Sequence, residues 1–261
     1  MFVSARIQGR LANNLFQYVA AKIMGKKLNL SYMYNSVPHS GIVLNDFIFK
    51  QFYDECDGKK LGQFDGLYLD GFFQFDYLIQ EHIEFIKSLF VTSNSDRIND
   101  SLTVNEFVNF IENYKCDVIQ NEDLVLHLRL DDYVDHHSLI SPLSTVKLIR
   151  QLMIDHQFKR LVIVTDKIRQ PFELKYLNVF SIFKPVILSG TMMEDFTRLY
   201  KAKNVILSNS TFAWMSMILS EKRTHWIPQN LGGFQAQVFH RVNDESIVYP
   251  VKQMSKEEFS I

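Results

Sequence analysis

Short apolar runs punctuate the second half of the chain: Leu124-Val125-Leu126-His127-Leu128-Arg129, Leu161-Val162-Ile163-Val164-Thr165, Val186-Ile187-Leu188 and Val205-Ile206-Leu207. Runs of this length, bounded by polar residues, read as strands buried on both faces. Segments with helical spacing separate them. Ser144 to His156 places Val146, Ile149, Leu152 and Met153 on one face, and Thr191 to Lys203 does the same with Met192, Phe196, Leu199 and Tyr200. Ser210 to Ser220 is another such segment. Strands alternating with helices predict βαβ units and a mostly parallel sheet, because parallel neighbours need a crossover between them.

The first half is less regular. Phe2 to Ile7 predicts a strand and Gly9-Arg10 a turn. Ala12 to Met24 predicts a helix with Leu15, Tyr18, Val19 and Ile23 on one face and Gly25 just past its end. Leu28 to Met33 reads as the next strand. Asn45 to Phe90 is rich in aromatics and glycine and supports no assignment. Val91 to Leu102 is polar and reads as a loop, and Asn113 to Asp123 is a second polar break. Dividing the chain at that break predicts two domains, 1–120 and 121–261.

Composition narrows the field of functions. A chain of 261 residues, 47% of them hydrophobic, suffices for one large or two small cores. With 28 basic and 29 acidic residues the net charge is -1, which excludes the basic excess of a general nucleic-acid binder. The N-terminus lacks a charged start followed by a long apolar stretch, so no secretory signal is expected. No apolar run approaches the roughly 20 residues of a membrane helix, and the expectation is a soluble cytoplasmic protein of bacterial or viral type. Cys56 and Cys116 lie far apart with no metal-ligand spacing. A reducing compartment is the simple reading, and one disulfide is also compatible. The adjacent His136 and His137 would point in different directions on a helix or strand. The chain has no Asp-x-Asp triplet, so no metal site is expected, and no Gly-x-Ser-x-Gly elbow supports a hydrolase triad.

Candidate chemistry gathers at the ends of the predicted strands. After Val205-Ile206-Leu207 comes Ser208-Asn209-Ser210-Thr211-Phe212-Ala213-Trp214, in which Ser210 is placed to cap a helix. The exposed N–H groups and positive end of that helix suit an anion. The same pattern also describes an ordinary capped helix. In His127-Leu128-Arg129-Leu130-Asp131-Asp132-Tyr133, strand alternation puts Val125, His127 and Arg129 on one face and Leu124, Leu126, Leu128 and Leu130 on the other. Arginine is the natural partner for a diphosphate, because its planar fork gives two charge-assisted hydrogen bonds. The alternative is a structural pair with Asp131 or Asp132. Thr165-Asp166 ends another strand, where the carboxylate can accept from a base or ribose or cap the next helix. Gly9-Arg10-Leu11-Ala12-Asn13-Asn14 is a turn feeding a helix and lacks both the dinucleotide Gly-x-Gly-x-x-Gly and the Walker pattern. The aromatics of Tyr68-Leu69-Asp70-Gly71-Phe72-Phe73-Gln74 can stack on sugar rings or fill a core.

In this order the segments resemble the α-1,2-fucosyltransferase family and the wider fucosyltransferase superfamily. Gly9-Arg10-Leu11-Ala12-Asn13-Asn14-Leu15-Phe16-Gln17-Tyr18 is similar to the family's Gly-Arg-Leu-Gly-Asn-Gln-Leu-Phe-Gln-Tyr. The segment beginning at His127 resembles its His-Val-Arg-Arg-Gly-Asp-Tyr, and Ser208 to Trp214 its Ser-Asn-Ser-Thr-Phe-Ser/Ala-Trp. Thr165-Asp166 fits an intervening Ser-Asp loosely.

The resemblance implies a GT-B-like α/β fold of two Rossmann-like domains with the donor site in the cleft between them. It implies an inverting glycosyltransferase that takes GDP-fucose as donor substrate and a glycan as acceptor, with no metal and no other cofactor. By position, Arg129 would neutralise the donor diphosphate and His127 would shape its pocket. Asn209, Ser210, Thr211 and Phe212 would hold the phosphates and nucleotide, Asp166 the guanine or ribose, and Arg10 and Asn13 the N-terminal side. Asp132 is the candidate general base for the acceptor hydroxyl. The chain departs from the family at Ala12, Asn14, Leu130, Asp131 and Met215. Leu130 stands where the family has a second arginine. That leaves open another GDP-sugar as donor, or a sugar-nucleotide or glycan-binding protein without turnover.

Overall fold

In the computed structural model the first apolar run becomes β1 (Phe2–Ala5), flanked by β2 (Ser31–Tyr32) and β4 (Gly66–Leu69), with β3 (Gly41–Leu44) outside β4. All the pairings in this four-stranded sheet are parallel. The structure describes residues 1–56, 62, 64–131, 133, 139–220, 224–228, 246–249 and 253–254. The chain divides into two units, Met1–Glu112 and Asn113–Ile261.

In the first unit, α1 (Leu11–Leu28) crosses from β1 to β2 and buries fourteen of its eighteen residues. A helix covered on all sides loses the one-face pattern of a surface helix. It also runs through Gly25, where the sequence predicts its end. A Cβ at Gly25 would come within 2.9 Å of the Leu30 carbonyl oxygen and 3.2 Å of Val3, so glycine there permits close approach of helix and strand. The helix stops instead at Asn29, in the left-handed conformation with φ 55° and ψ 47°.

The stretch that resisted assignment holds α2 (Asp46–Glu55), β4 and α3 (Asp76–Leu89). Phe49, Phe73 and Phe75 pack there with ring centroids 5.0 to 6.3 Å apart. Phe73 is fully buried, so it belongs to the core. Within the polar stretch 91–102, read as a loop, β5 (Arg97–Asn99) begins an antiparallel hairpin with β6 (Leu102–Thr103), and α4 (Val104–Asn113) follows.

The second unit runs β7 (Asp123–Leu128), β8 (Leu139–Ile140), α5 (Pro142–Asp155), β9 (Arg160–Thr165), α6 (Pro171–Asn178), β10 (Val186–Leu188), α7 (Met192–Lys201), β11 (Asn204–Ile206), α8 (Thr211–Leu219), β12 (Thr224–Pro228), β13 (Ser246–Tyr249) and β14 (Gln253–Met254). β14 pairs antiparallel with β8. The main sheet has the order β10-β9-β7-β11-β12-β13, and all its pairings are parallel. Counted along the chain this is 3-2-1-4-5-6, the Rossmann order, which reverses direction between its first and fourth strands. The predicted alternation holds: Leu124, Leu126, Leu128 and Leu130 share one apolar cluster with Ile149 and Tyr176. Burying each leucine contributes about 1.5–3 kcal/mol, which sets the register and turns His127 and Arg129 away from this cluster. Among the described residues, no helix is long and apolar enough to cross a membrane, and both cysteines are free.

Candidate functional site

The parallel sheet of the second unit delivers its candidate residues to one edge, where the strands end and helices begin. Ligands bind such sheets outside the carboxyl ends of the strands, at the point where strand order reverses. Here that point lies between β7 and β11. His127 near the end of β7 hydrogen-bonds through Nδ1 to Ser208 Oγ just after β11, at 2.7 Å, with the donor set by the ring's tautomer. Both residues are buried. Burial drives the His127 pKa down to about 3, so the ring is neutral at ordinary pH.

Ser210 caps α8 as its sequence position predicts, its Oγ accepting from Phe212 N at 3.2 Å. That hydroxyl therefore serves its own helix, and the helix's positive end carries the capacity for an anion. Phe212 is wedged between the His127 ring at 5.8 Å and Phe196 at 5.4 Å. This packing aims the first turn of α8 along the edge. Asn209 and Thr211 flank Ser210, both half-buried.

Arg129 follows β7 with only 13% of its side chain exposed. Its Nη1 donates to Asp166 Oδ1 at 2.7 Å, and Asp166 Oδ2 accepts from Leu130 N at 3.3 Å. Asp166 thus fixes the guanidinium rather than capping the next helix, which is capped by Gln170. Asp131, weighed as the structural partner of Arg129, stands farther off at 3.9 Å. Tyr133 ties the two halves of the edge together. Its ring lies under the Arg129 guanidinium at 5.8 Å, and its hydroxyl donates to the Asn209 carbonyl oxygen at 3.4 Å.

Arg10 and Asn13 belong to the first unit and sit at the carboxyl edge of its own sheet. Gly9 adopts φ +80°, and a Cβ there would lie 2.2 Å from Asn13 Nδ2, so this turn needs glycine. Asn13 Oδ1 accepts from Gln74 Nε2 at 2.8 Å. One turn on, Gln17 Oε1 accepts from Gln8 N at 3.1 Å and its Nε2 donates to the Gly71 carbonyl oxygen at 3.0 Å. Arg10 is exposed beside this amide ladder. The loops after β1 and β4 are therefore locked to each other through the start of α1.

The structure thus joins His127, Arg129, Asp166, Asn209, Ser210, Thr211 and Phe212 on one edge, with Arg10 and Asn13 on the edge of the other sheet. Asp132, His136 and His137 lie outside the described residues. Among the described residues, no group of histidines, cysteines and carboxylates could hold a metal ion. Sequence reasoning quoted Tyr133, Gln17 and Gln74 within its candidate segments but gave none of them a role of its own. Gln17 carried a signal, as a member of the Gly9–Tyr18 segment that resembles the family motif.

Two Rossmann-like α/β units in one chain define a fold of the GT-B type. Among solved structures the chain is similar to a point mutant of Arabidopsis thaliana FUT1 in complex with GDP, at 10% identity and a TM-score of 0.53, with 87% of this chain and 70% of that one covered. It is also similar to the E. coli heptosyltransferase WaaC with ADP, at 10% identity and a TM-score of 0.49, with 100% and 98% covered. No family model and no curated protein matches the sequence.

Proposed function

We propose that the protein is an inverting, metal-independent glycosyltransferase that moves L-fucose from GDP-fucose to a hydroxyl of a glycan acceptor, in the manner of α-1,2-fucosyltransferases. The observation that carries this reading is the strand-order reversal of the second unit, where the half-buried Arg129 guanidinium, the Ser210-capped start of α8 and the neutral His127 share one edge. The similarity in fold to a plant FUT1 solved with GDP supports it, as do the motifs at Gly9, His127 and Ser208.

In the reaction the acceptor oxygen bonds to the sugar's anomeric carbon as the bond from that carbon to the diphosphate breaks. GDP leaves with the bonding pair, and the acceptor's proton passes to a carboxylate. Negative charge grows on the leaving diphosphate, and donors fixed at that charge are usually the largest catalytic contribution. Arg129 and the N-terminus of α8 take that role, with Thr211 and Asn209 beside them. Asp166 follows the second strand of the Rossmann order, where an acidic residue commonly holds a ribose hydroxyl. His127 and Phe212 wall the nucleotide pocket, and Asp132 accepts the proton.

A donor panel with the purified protein and a glycan acceptor array tests this. Transfer from GDP-fucose that persists in EDTA is the expected result. Transfer only from another sugar nucleotide would replace the donor, and a strict need for a divalent cation would reject the metal-free step. Binding of GDP with no turnover of any donor would make the protein a binding module.

A further inference from the structure

Asp70-Gly71-Phe72-Phe73-Gln74 forms the loop after β4, at the carboxyl edge of the first unit's parallel sheet, the edge at which such sheets take ligands. Its backbone is strained. Phe73 is fully buried and adopts φ +53°, in the left-handed region that a bulky side chain rarely enters. A residue stays there only when its surroundings hold it, and such residues gather at ligand sites. Asp46, in the first turn of α2, holds it here. One carboxylate oxygen accepts from Phe73 N at 2.7 Å and the other from Phe72 N at 3.0 Å. Gly71 makes room for this, because a Cβ there would lie 2.7 Å from Asp46 Oδ2. From the side of α1, Gln17 Nε2 donates to the Gly71 carbonyl oxygen and Asn13 Oδ1 accepts from Gln74 Nε2.

The clamped loop sets two kinds of surface at one edge. The first is apolar. Phe47 directly follows Asp46, its N–H donates to Asn45 Oδ1 at 3.0 Å, and the residue is 93% exposed. Phe72, whose N–H is bonded to Asp46, is half-buried. The second surface is polar. Arg6 and Asp70 leave adjacent strands just beyond the paired Ala5 and Leu69. Arg6 Nη1 donates to Asp70 Oδ1 at 3.3 Å, and the two side chains are 57% and 37% exposed. An ion pair so exposed adds little to stability. It does offer hydroxyl groups a carboxylate that accepts and a guanidinium that donates. A pyranose ring uses both surfaces, since its C–H face packs on an aromatic ring while its hydroxyls hydrogen-bond alongside.

We propose that this edge of the first unit binds a sugar ring of the acceptor glycan. Phe47 is the stacking platform, Asp70 and Arg6 hold the sugar hydroxyls, and Asp46 is the positioning residue that fixes the loop. The ligand class is a neutral pyranoside. That this sugar is the acceptor rests on the transferase reading above, whereas its binding to this edge does not.

The test is saturation-transfer NMR titration of the intact protein with lactose as the pyranoside, with and without GDP, alongside calorimetric titration of GDP. The unaltered protein binds lactose. Phe47→Ala weakens lactose about fivefold and Asp70→Asn about tenfold, with GDP affinity unchanged. Phe47 is too exposed for its truncation to unfold the chain, so that variant reports on binding alone. Asp46→Ala weakens lactose, and Asp46→Asn, which keeps one acceptor for the two N–H groups, retains part of the affinity. A lower Tm in Asp46→Ala with lactose affinity intact would reduce Asp46 to a structural role and remove it from the proposal. If the unaltered protein does not bind lactose, or if Phe47→Ala and Asp70→Asn bind it equally well, the inference falls, while GDP binding leaves the donor site standing. If lactose binds as expected and GDP does not, the sugar site stands and the donor reading falls. If Phe47→Ala dissociates a dimer and spares lactose, the ring belongs to a contact between copies and the inference falls.

Discussion

Replacing Arg129 by alanine separates the structural from the chemical role of this side chain. Two effects of different size are expected. For stability, Asp166 loses its 2.7 Å partner but keeps the Leu130 N–H at 3.3 Å, and 25% of its side chain already meets solvent. A hydrogen bond to a charged group contributes about 1.5–3 kcal/mol, and with solvent to replace part of it a loss of about 2 kcal/mol follows. That lowers Tm by roughly 5 °C. Domains are typically stable by about 5–15 kcal/mol, so the variant stays almost wholly folded at 25 °C. For turnover, removing one donor aimed at developing negative charge costs about 100- to 1,000-fold in kcat. The activity loss thus far exceeds anything unfolding produces. Release of GDP in the presence of acceptor gives the rate, and thermal melting by circular dichroism gives the stability. A folded Arg129→Ala protein that turns over within about threefold of the unaltered enzyme would refute the electrostatic role.

Other outcomes follow from single features. Gly9→Ala forces a Cβ to within 2.2 Å of Asn13 Nδ2 at φ +80°, and is expected to cost about 1–3 kcal/mol, read as a lower urea midpoint. An unchanged midpoint would mean the amide ladder yields freely. Ser210→Ala removes the cap on Phe212 N and costs about 1 kcal/mol, whereas Ser210→Gly costs only a few tenths. Equal losses would contradict a capping role. His127 is neutral in the fold with a pKa of about 3, while the unfolded chain protonates it near 6.5. The folded pKa is the lower one, so this contribution is complete above about pH 6.5 and declines as pH falls toward 3, by about 1.4 kcal/mol per unit. Urea unfolding at pH 7.5, 6 and 5 should show a shallower decline for His127→Asn, and parallel curves would argue against burial of the neutral ring.

The alternation of apolar runs with helical segments was enough to determine the second unit as a parallel α/β sheet. Its central strands β7, β9 and β11 are buried on both faces, and α7 buries one face, so burial writes a distinct period into these elements. The cap at Ser210 and the positions of His127 and Arg129 at a strand end were legible for the same local reason. The first unit was harder. Its long helix is buried all round and continues through Gly25, so neither periodicity nor a glycine marked its true end. The aromatics between Asn45 and Phe90 pack as one cluster from several elements, which blurs the period of each.

Only the tertiary structure decided which side chains meet. Arg129 bonds Asp166 across 37 residues, and His127 bonds Ser208 across 81. Among the described residues Asp166, at 2.7 Å, is a closer partner of Arg129 than its near neighbour Asp131, at 3.9 Å. The physical reason is that periodicity reports whether a residue is buried, while strand order decides beside what. The sheet places β9 and β11 on either side of β7, so loops remote in sequence close over the same edge. Local pattern carried the elements and the kinds of chemistry they bear. The meeting of Arg129 with Asp166 and of His127 with Ser208 belongs to the fold.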